Sequence, residues 1–218
     1  MPLALLIAAP ACAQVSGSVG VLTDYRYRGA SLSDTKPALL VQGGYDFAND
    51  VYTGVLLASV RVDEEGGGTE AMALVYFGRT GALPRDWHWD AGVQYAAFSR
   101  SQEYDHGELY AGIGTRNAGV RLHYADDYFG VGPAWYAEWD GRHAMSDRWH
   151  LVAHAGVTWL DAGHATHRLT DWTLGAGLSL GNHEVQLLWI GAEGAPHYRL
   201  VPGYGEHDGP VLRWTRSW

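Results

Sequence analysis

The eleven histidines are the residues whose chemistry stands out first in this 218-residue chain. A zinc-type site needs three or four ligands in a defined geometry. His150 and His154 are four residues apart, which is about 13 Å along an extended strand, so they cannot grip one ion. His164 and His167 lie together in a predicted loop, but two ligands do not complete a site, and surface histidines are the alternative interpretation. The sequence therefore predicts no metal and no other cofactor.

A hydrolase would need a nucleophile, a base and an orienting group within hydrogen-bond reach of one another. Ser179 and His183 are the nearest such candidates in the sequence, but a predicted turn at Gly181 and Asn182 separates them. We find no motif of a protease, a phospholipase or a lipid A-modifying enzyme. The sequence therefore predicts that the protein is not an enzyme, and a lipid-modifying hydrolase is only the third functional hypothesis.

Charged side chains that share one face of a strand are more informative. In VSGSVGVLTDYRYRG, from Val15 to Gly29, the odd positions are mostly aliphatic and end in two tyrosines, whereas the even positions end in Asp, Arg and Arg. A period of two indicates a strand, and this contrast between its faces is typical of a strand with lipid on one side and water on the other. The same alternation gives eight candidates for residues that line a lumen: Asp24, Arg26, Arg28, Asp90, Glu108, Arg121, His123 and Glu138.

These inward charges have two interpretations that the sequence leaves open. They form either the mixed-charge lining of a narrow aqueous path or a salt-bridge network that fills and rigidifies a small barrel. For Arg26 and Arg28, the expected counter-charges are Asp24 and Glu138. Open space in the lumen is favoured by glycines at inward positions, namely Gly92, Gly112, Gly114, Gly175 and Gly177.

Twelve amphipathic segments would position these residues, and they predict an all-β fold, a transmembrane antiparallel up-and-down β-barrel. In the ninth segment, Trp149 and Trp159 share a face and would stand about 25 Å apart along the membrane normal, the spacing of two aromatic girdles. Connections after the second, sixth and tenth segments are short, and those after the first, ninth and eleventh are long. This parity predicts that the long loops face the exterior and that both termini face the periplasm.

Composition fits a single barrel and excludes several other classes. The net charge is −9 and no basic run occurs, so nucleic acid is not an expected partner. Residues 1–13 are apolar and end in a small-x-small pattern, Ala11 and Ala13, which predicts a signal peptide, incomplete at its start, followed by a barrel over residues 14–218. Since no other apolar run approaches the roughly 18 residues of a spanning helix, a membrane form must be a closed barrel.

The first quarter of the chain resembles a known family. TDYRYRG at residues 23–29, SLSD at 31–34, KPAL at 36–39, GGYD at 43–46 and YTGV at 52–55 are similar to the opening of the TorF-type porins, small outer-membrane proteins of proteobacteria. The resemblance implies a barrel in the cell outer membrane and a porin-like role, and it does not name a substrate.

The sequence thus supports three hypotheses. The first is an outer-membrane channel that passes small solutes through a narrow mixed-charge lumen, and the second is a closed structural or surface-interaction barrel without transport. The lipid-modifying hydrolase is the third. Expected partners are outer-membrane lipid, small solutes, and the barrel-assembly machinery, which would bind the last strand with Leu212, Trp214 and the terminal Trp218. Arg216 on the same face departs from that terminal pattern.

Overall fold

A computed structural model of the protein describes residues 14–62, 68–194 and 208–218. The predicted signal peptide therefore lies outside the described residues. Twelve strands form one closed barrel in which each strand pairs with its sequence neighbours and the last pairs with the first. The strands are β1 Gln14–Leu22, β2 Ala38–Asp46, β3 Val51–Val60, β4 Glu70–Leu83, β5 Trp87–Phe98, β6 His106–Gly114, β7 Ala118–Ala125, β8 Ala134–Ala144, β9 Trp149–Ala162, β10 Ala165–Leu180, β11 His183–Glu193 and β12 Gly209–Ser217.

All neighbouring strands are antiparallel, and the predicted barrel fold is confirmed. Among the described residues, no helix is long and apolar enough to cross a membrane.

Tryptophan and tyrosine side chains lie on different faces of the barrel wall. None of the ten tryptophans is buried, and Trp149 and Trp159 lie exposed on the outer face of β9, at 52% and 40%. Seven tyrosines are instead buried inside the barrel or its loops: Tyr25, Tyr27, Tyr52, Tyr76, Tyr110, Tyr128 and Tyr136. The tryptophans thus lie on the outer face, where they would meet lipid, whereas the tyrosines supply hydroxyl groups to the interior.

Connections of different length lie at the two ends of the barrel. The turns after β6 and β10 span residues 115–117 and 181–182, while the connections after β1, β5 and β7 span residues 23–37, 99–105 and 126–133. We call these the short-turn end and the long-loop end. The predicted long loop after β9 is wrong: β9 and β10 continue to Ala162 and from Ala165, with only Gly163 and His164 between them. Gly163 has φ +64°, a left-handed conformation that suits a tight turn.

The predicted first strand is too long. β1 ends at Leu22, and residues 23–37, which we call the plug, fold into the barrel. The carboxylate of Asp24 accepts hydrogen bonds from Ser31 Oγ at 2.6 Å, Ser33 Oγ at 3.1 Å and Arg26 Nε at 2.7 Å. These bonds hold the chain in a local turn that competes with extension of the strand. As a consequence the two tyrosines predicted for the outer belt are buried, Tyr25 at 1% and Tyr27 at 7% exposure.

A short hairpin forms the centre of the plug. Its two-residue strands, Arg26–Tyr27 and Ala30–Ser31, are joined by Arg28 at φ +49° and Gly29 at φ +80°. Two successive left-handed residues are the signature of a tight hairpin turn. A Cβ on Gly29 would lie 2.6 Å from the Cβ of Ala192, so the hairpin tip touches the wall at β11.

The hydrophobic core lies inside the long-loop half of the barrel. Leu32 from the plug packs there among inward side chains from the loop-proximal ends of strands, such as Val60, Leu160 and Val211, and all four are 0% exposed. The connection after β7 adds Tyr128 and Phe129 to this core. A barrel interior that would otherwise be wet is therefore closed at this end by apolar packing of the kind found in soluble proteins.

Candidate functional site

The tip of the plug carries the most strongly held charge of the interior. The guanidinium of Arg28 donates two hydrogen bonds to the Glu108 carboxylate, at 2.6 and 2.7 Å, from a turn that faces β6. The side chains of the pair are only 6% and 1% exposed. The same guanidinium lies 4.0 Å above the ring of Tyr136, so the cation is satisfied by a bidentate carboxylate and an aromatic face together.

From Glu108 the network continues around the wall. His123 on β7 bridges two carboxylates, with Nδ1 3.1 Å from Glu108 and Nε2 3.2 Å from Glu138. Gln94 donates from β5 to Glu108 at 2.6 Å. Glu108 therefore receives contacts from the plug and from two strands, which makes it the junction between the loop and the barrel wall.

A second branch runs toward the short-turn end. Arg121 on β7 pairs with Asp90 on β5, and its other nitrogen is 3.8 Å from Glu138. Asp90 also accepts a short hydrogen bond from the Tyr52 hydroxyl, which in turn lies 2.7 Å from the Tyr110 hydroxyl. Hydroxyl groups thus extend the ionic network to β3 and leave these buried phenols with partners.

A third cluster lies on β8, β9 and β10. His154 is held between two carboxylates, with Nδ1 2.8 Å from Asp140 and Nε2 2.8 Å from Asp171. The hydroxyl of Tyr136 contacts the same imidazole at 3.0 Å and Asp171 at 3.4 Å. Tyr136 therefore connects this cluster to Arg28.

The structure places all eight predicted lining residues inside the barrel. Seven of them form ion pairs with one another, and the His123 ring lies within hydrogen-bond distance of Glu108 and Glu138. Of the two expected counter-charges, Asp24 does pair with Arg26, at 2.7 Å. Arg28 does not pair with Glu138; its partner is Glu108, because the plug reaches further toward β6 than an extended strand would. Whether any of these residues lines a conducting path stays a prediction.

The eight predicted lining residues did not include several members of this network, namely Tyr52, Gln94, Tyr110, Tyr136, Asp140, His154 and Asp171. All of them occupy inward positions of amphipathic segments, which is the one signal the sequence offers. Contacts across the lumen depend on the stagger of the strands, and a single sequence does not encode that stagger in any local pattern.

Little open space remains between the plug and the charged wall. A cavity of about 30 Å³ is bounded by Tyr27, Arg28, Arg121, His123 and Glu138. That volume accommodates one or two water molecules. This cavity is too small for an organic solute.

Two of the five inward glycines, Gly92 and Gly177, each lie against a neighbouring ring. A Cβ on Gly92 would lie 2.4 Å from the Tyr110 hydroxyl, and one on Gly177 would lie 2.1 Å from His150 Nε2. Glycine at these positions lets a neighbouring ring lie flat along the wall.

Loop tyrosines near the site remain uncharged. Burial raises the pKa of the Tyr25 and Tyr128 hydroxyls above the ordinary value of a phenol. Both groups are therefore neutral at physiological pH and contribute no charge to the plug.

A closed antiparallel barrel with an apolar exterior and a charged interior is the architecture of outer-membrane β-barrel proteins. Residues 8–205 match the model of Gcw_chp, a bacterial protein family of unknown function, and the chain belongs to that family. The TorF-type name is not confirmed by this match.

Solved structures show the same fold. The chain is similar to the COG4313 outer membrane channel from Pseudomonas putida F1, with 14% identity, a TM-score of 0.54 and coverage of 97% of both chains. It is also similar to the KdgM porin solved with disordered oligogalacturonate, with 8% identity, a TM-score of 0.51, and coverage of 93% of this chain and 96% of that one. No curated protein sequence matches the chain. At these identities the similarity concerns the fold and not the substrate.

Proposed function

We propose that this protein resides in the outer membrane as a channel for small solutes, closed at its long-loop end by the plug. The proposal depends on one observation, namely that a loop folds into the long-loop end of the barrel. The barrel is filled at that end by an inserted loop whose tip makes one bidentate ion pair with the wall, Arg28 to Glu108. Displacement of a loop opens a barrel without unfolding any of its strands.

The interior beyond the plug supports the same proposal. Toward the short-turn end, inward positions carry polar side chains that retain partial exposure, including Gln42, Asp46, Asp90 and Arg121. An aqueous vestibule with mixed charge is the lining expected of a solute path. Passage then depends on the plug alone.

A closed structural barrel is the second candidate, and a specific observation favours it. The Arg28 and Glu108 side chains are almost fully desolvated, and the plug buries Tyr25 and Leu32 at 1% and 0% exposure. Removing these groups from their packing costs free energy, so the plug serves equally well as a permanent filling.

Planar-bilayer recordings separate the two candidates. Glu108→Gln removes the charge that holds the plug tip and keeps the shape of the side chain, so we expect longer open times than in wild-type protein. Asp34→Asn is the matched control, because the Lys36–Asp34 pair lies at the exposed base of the plug, at 51% and 64% side-chain exposure. Silent bilayers from a well-folded Glu108→Gln variant, and from one whose hairpin 26–31 is replaced by a short glycine linker, would reject the channel in favour of the structural barrel.

The proposed orientation places the long-loop end outside the cell. Beyond residue 13 the chain has no cysteine, so single cysteines report without background. Gly163→Cys should react with an impermeant thiol reagent on intact cells, and Asn117→Cys should not. Labelling of Asn117→Cys alone would mean that the barrel is inserted the other way round.

Assembly in the membrane is proposed to depend on β12. Leu212, Trp214 and Arg216 share its outer face, and the backbone of Trp218 bonds to Gly17 on β1 in both directions, at 3.0 and 3.3 Å. The closing strand therefore presents an aromatic face to lipid or to the assembly machinery. Deletion of Trp218 should lower the amount of heat-modifiable protein in outer-membrane fractions, and unchanged levels would remove this support.

A further inference from the structure

Three metal-ligand side chains converge on the wall formed by β8 and β9. The ligand atoms of Glu138, Asp140 and His154 all lie within 4.8 Å of one another. We propose that these three residues bind a divalent transition-metal ion of the Zn²⁺ class inside the barrel. Ligand atoms at these distances from one another can each come within about 2.0–2.2 Å of one central ion after small rotations of the side chains.

The imidazole is oriented as a metal ligand would be. Metal-bound histidines characteristically donate the proton of the second ring nitrogen to a carboxylate. Asp171 on β10 occupies that position, 2.8 Å from His154 Nε2, and it is itself buried at 6% exposure. Nδ1 then directs its lone pair toward the Asp140 carboxylate, 2.8 Å away.

The charge of the surrounding network is an independent reason to expect a cation. Five carboxylates lie within it and only two guanidiniums, those of Arg28 and Arg121; the carboxylates are Asp90, Glu108, Glu138, Asp140 and Asp171. Excess buried negative charge is costly unless it is paired, and a divalent ion supplies two positive charges beside three of these carboxylates.

The donor set selects the class of metal. Imidazole nitrogen favours zinc and similar transition metals over calcium and magnesium, which prefer oxygen ligands. The Asp140 side chain is 27% exposed toward the lumen, so water can complete the coordination. This site does not require that the barrel conduct, and its test is independent of the channel proposal.

Metal binding can be measured on the refolded full-length chain in detergent. Zn²⁺ is titrated against a chromophoric chelator, and Co²⁺ is used as a spectroscopic probe of nitrogen and oxygen ligation. We expect one saturable site in the wild-type protein, lost in His154→Ala and in the isosteric Asp140→Asn. Because mutation of an orienting carboxylate typically costs roughly 10–100-fold in affinity, Asp171→Asn should weaken binding by that factor.

His150→Ala is the matched control. His150 is a buried inward histidine on the same strand, but it faces Arg142 at 3.1 Å rather than two carboxylates. Binding should persist in this variant. The proposal is overturned if folded wild-type protein shows no saturable site, or if His150→Ala abolishes binding as fully as His154→Ala. Heat-modifiable mobility identifies the folded variants, and Asp140→Asn decides the question if His154→Ala does not fold.

Discussion

The two halves of the barrel interior are built on different physical principles. The long-loop half is filled with apolar side chains, and its residues Leu32, Val60, Leu160 and Val211 are fully buried. The short-turn half carries glycine and polar residues at its inward positions, and many of these retain partial exposure. One half therefore resembles the core of a soluble domain, and the other resembles the wall of an aqueous vestibule.

The difference arises from the plug together with the loop-proximal ends of the strands, which contribute Val60, Leu160 and Val211. Barrel strands alternate apolar and polar faces, so twelve of them alone would enclose a wet interior. The plug brings its own apolar residues and three cations, Arg26, Arg28 and Lys36. Of these, Arg28 reaches the boundary between the two halves. The apolar filling of the long-loop half therefore combines residues 23–37 with the wall residues that contact them.

The largest effect is expected from removing the cation at this boundary. Arg28→Met leaves the Glu108 carboxylate buried without its main partner, which typically costs about 3–5 kcal/mol of unfolding free energy. Denaturant unfolding followed by tryptophan fluorescence measures the loss. The exposed pair in the same plug, tested with Lys36→Met, should lose at most about 1 kcal/mol.

A double variant sharpens this test. Arg28→Met combined with Glu108→Leu replaces the buried pair by apolar groups, and much of the lost stability should return. If the double variant is as unstable as Arg28→Met alone, apolar side chains do not replace the ion pair. The long-loop half would then not be stabilised by apolar packing around this pair.

A smaller effect is expected from the close approach of the plug to the wall. Gly29→Ala adds a Cβ 2.6 Å from the Ala192 Cβ at φ +80°, and strain plus the clash should destabilise the protein by roughly 1–3 kcal/mol. Gly163→Ala is the control, because Gly163 has φ +64° but nothing within 4 Å of an added Cβ. If both variants lose the same unfolding free energy, in thermal or denaturant unfolding, the loss reflects backbone strain alone. The plug would then not be in tight contact with β11.

Strand patterning could be predicted from the sequence, because alternation reports a local property. Val93 and Tyr95 do face outward on β5, and Glu108 and Tyr110 do face inward on β6. The parity of loop lengths also followed from local turn signals, with β9 to β10 as the exception. There the segment 161–169 contains polar residues but continues as a paired hairpin, since pairing between neighbours outweighed local polarity.

The plug could not be predicted in the same way. Residues 23–28 keep a perfect alternation, so the pattern favours an extended strand. Asp24, Ser31 and Ser33 turn the chain through side-chain hydrogen bonds that span seven to nine residues, and periodicity does not register such bonds. The partner of Arg28 was missed for a related reason: Glu108 is 80 residues away in sequence, and its position depends on the stagger of six strands.

The smallest effect is expected in the short-turn half, and it tests the comparison from the other side. Arg142 and Glu184 form an ion pair at 3.3 Å with side chains 49% and 30% exposed. Because water solvates both groups, Glu184→Gln should change the unfolding free energy by less than about 1 kcal/mol, and 1 M salt should weaken even that difference. The same denaturant series that includes Arg28→Met measures it. A loss as large as that of Arg28→Met would mean that water does not reach this half, that the vestibule is closed as tightly as the plug region, and that the two halves do not differ in the way their exposures indicate.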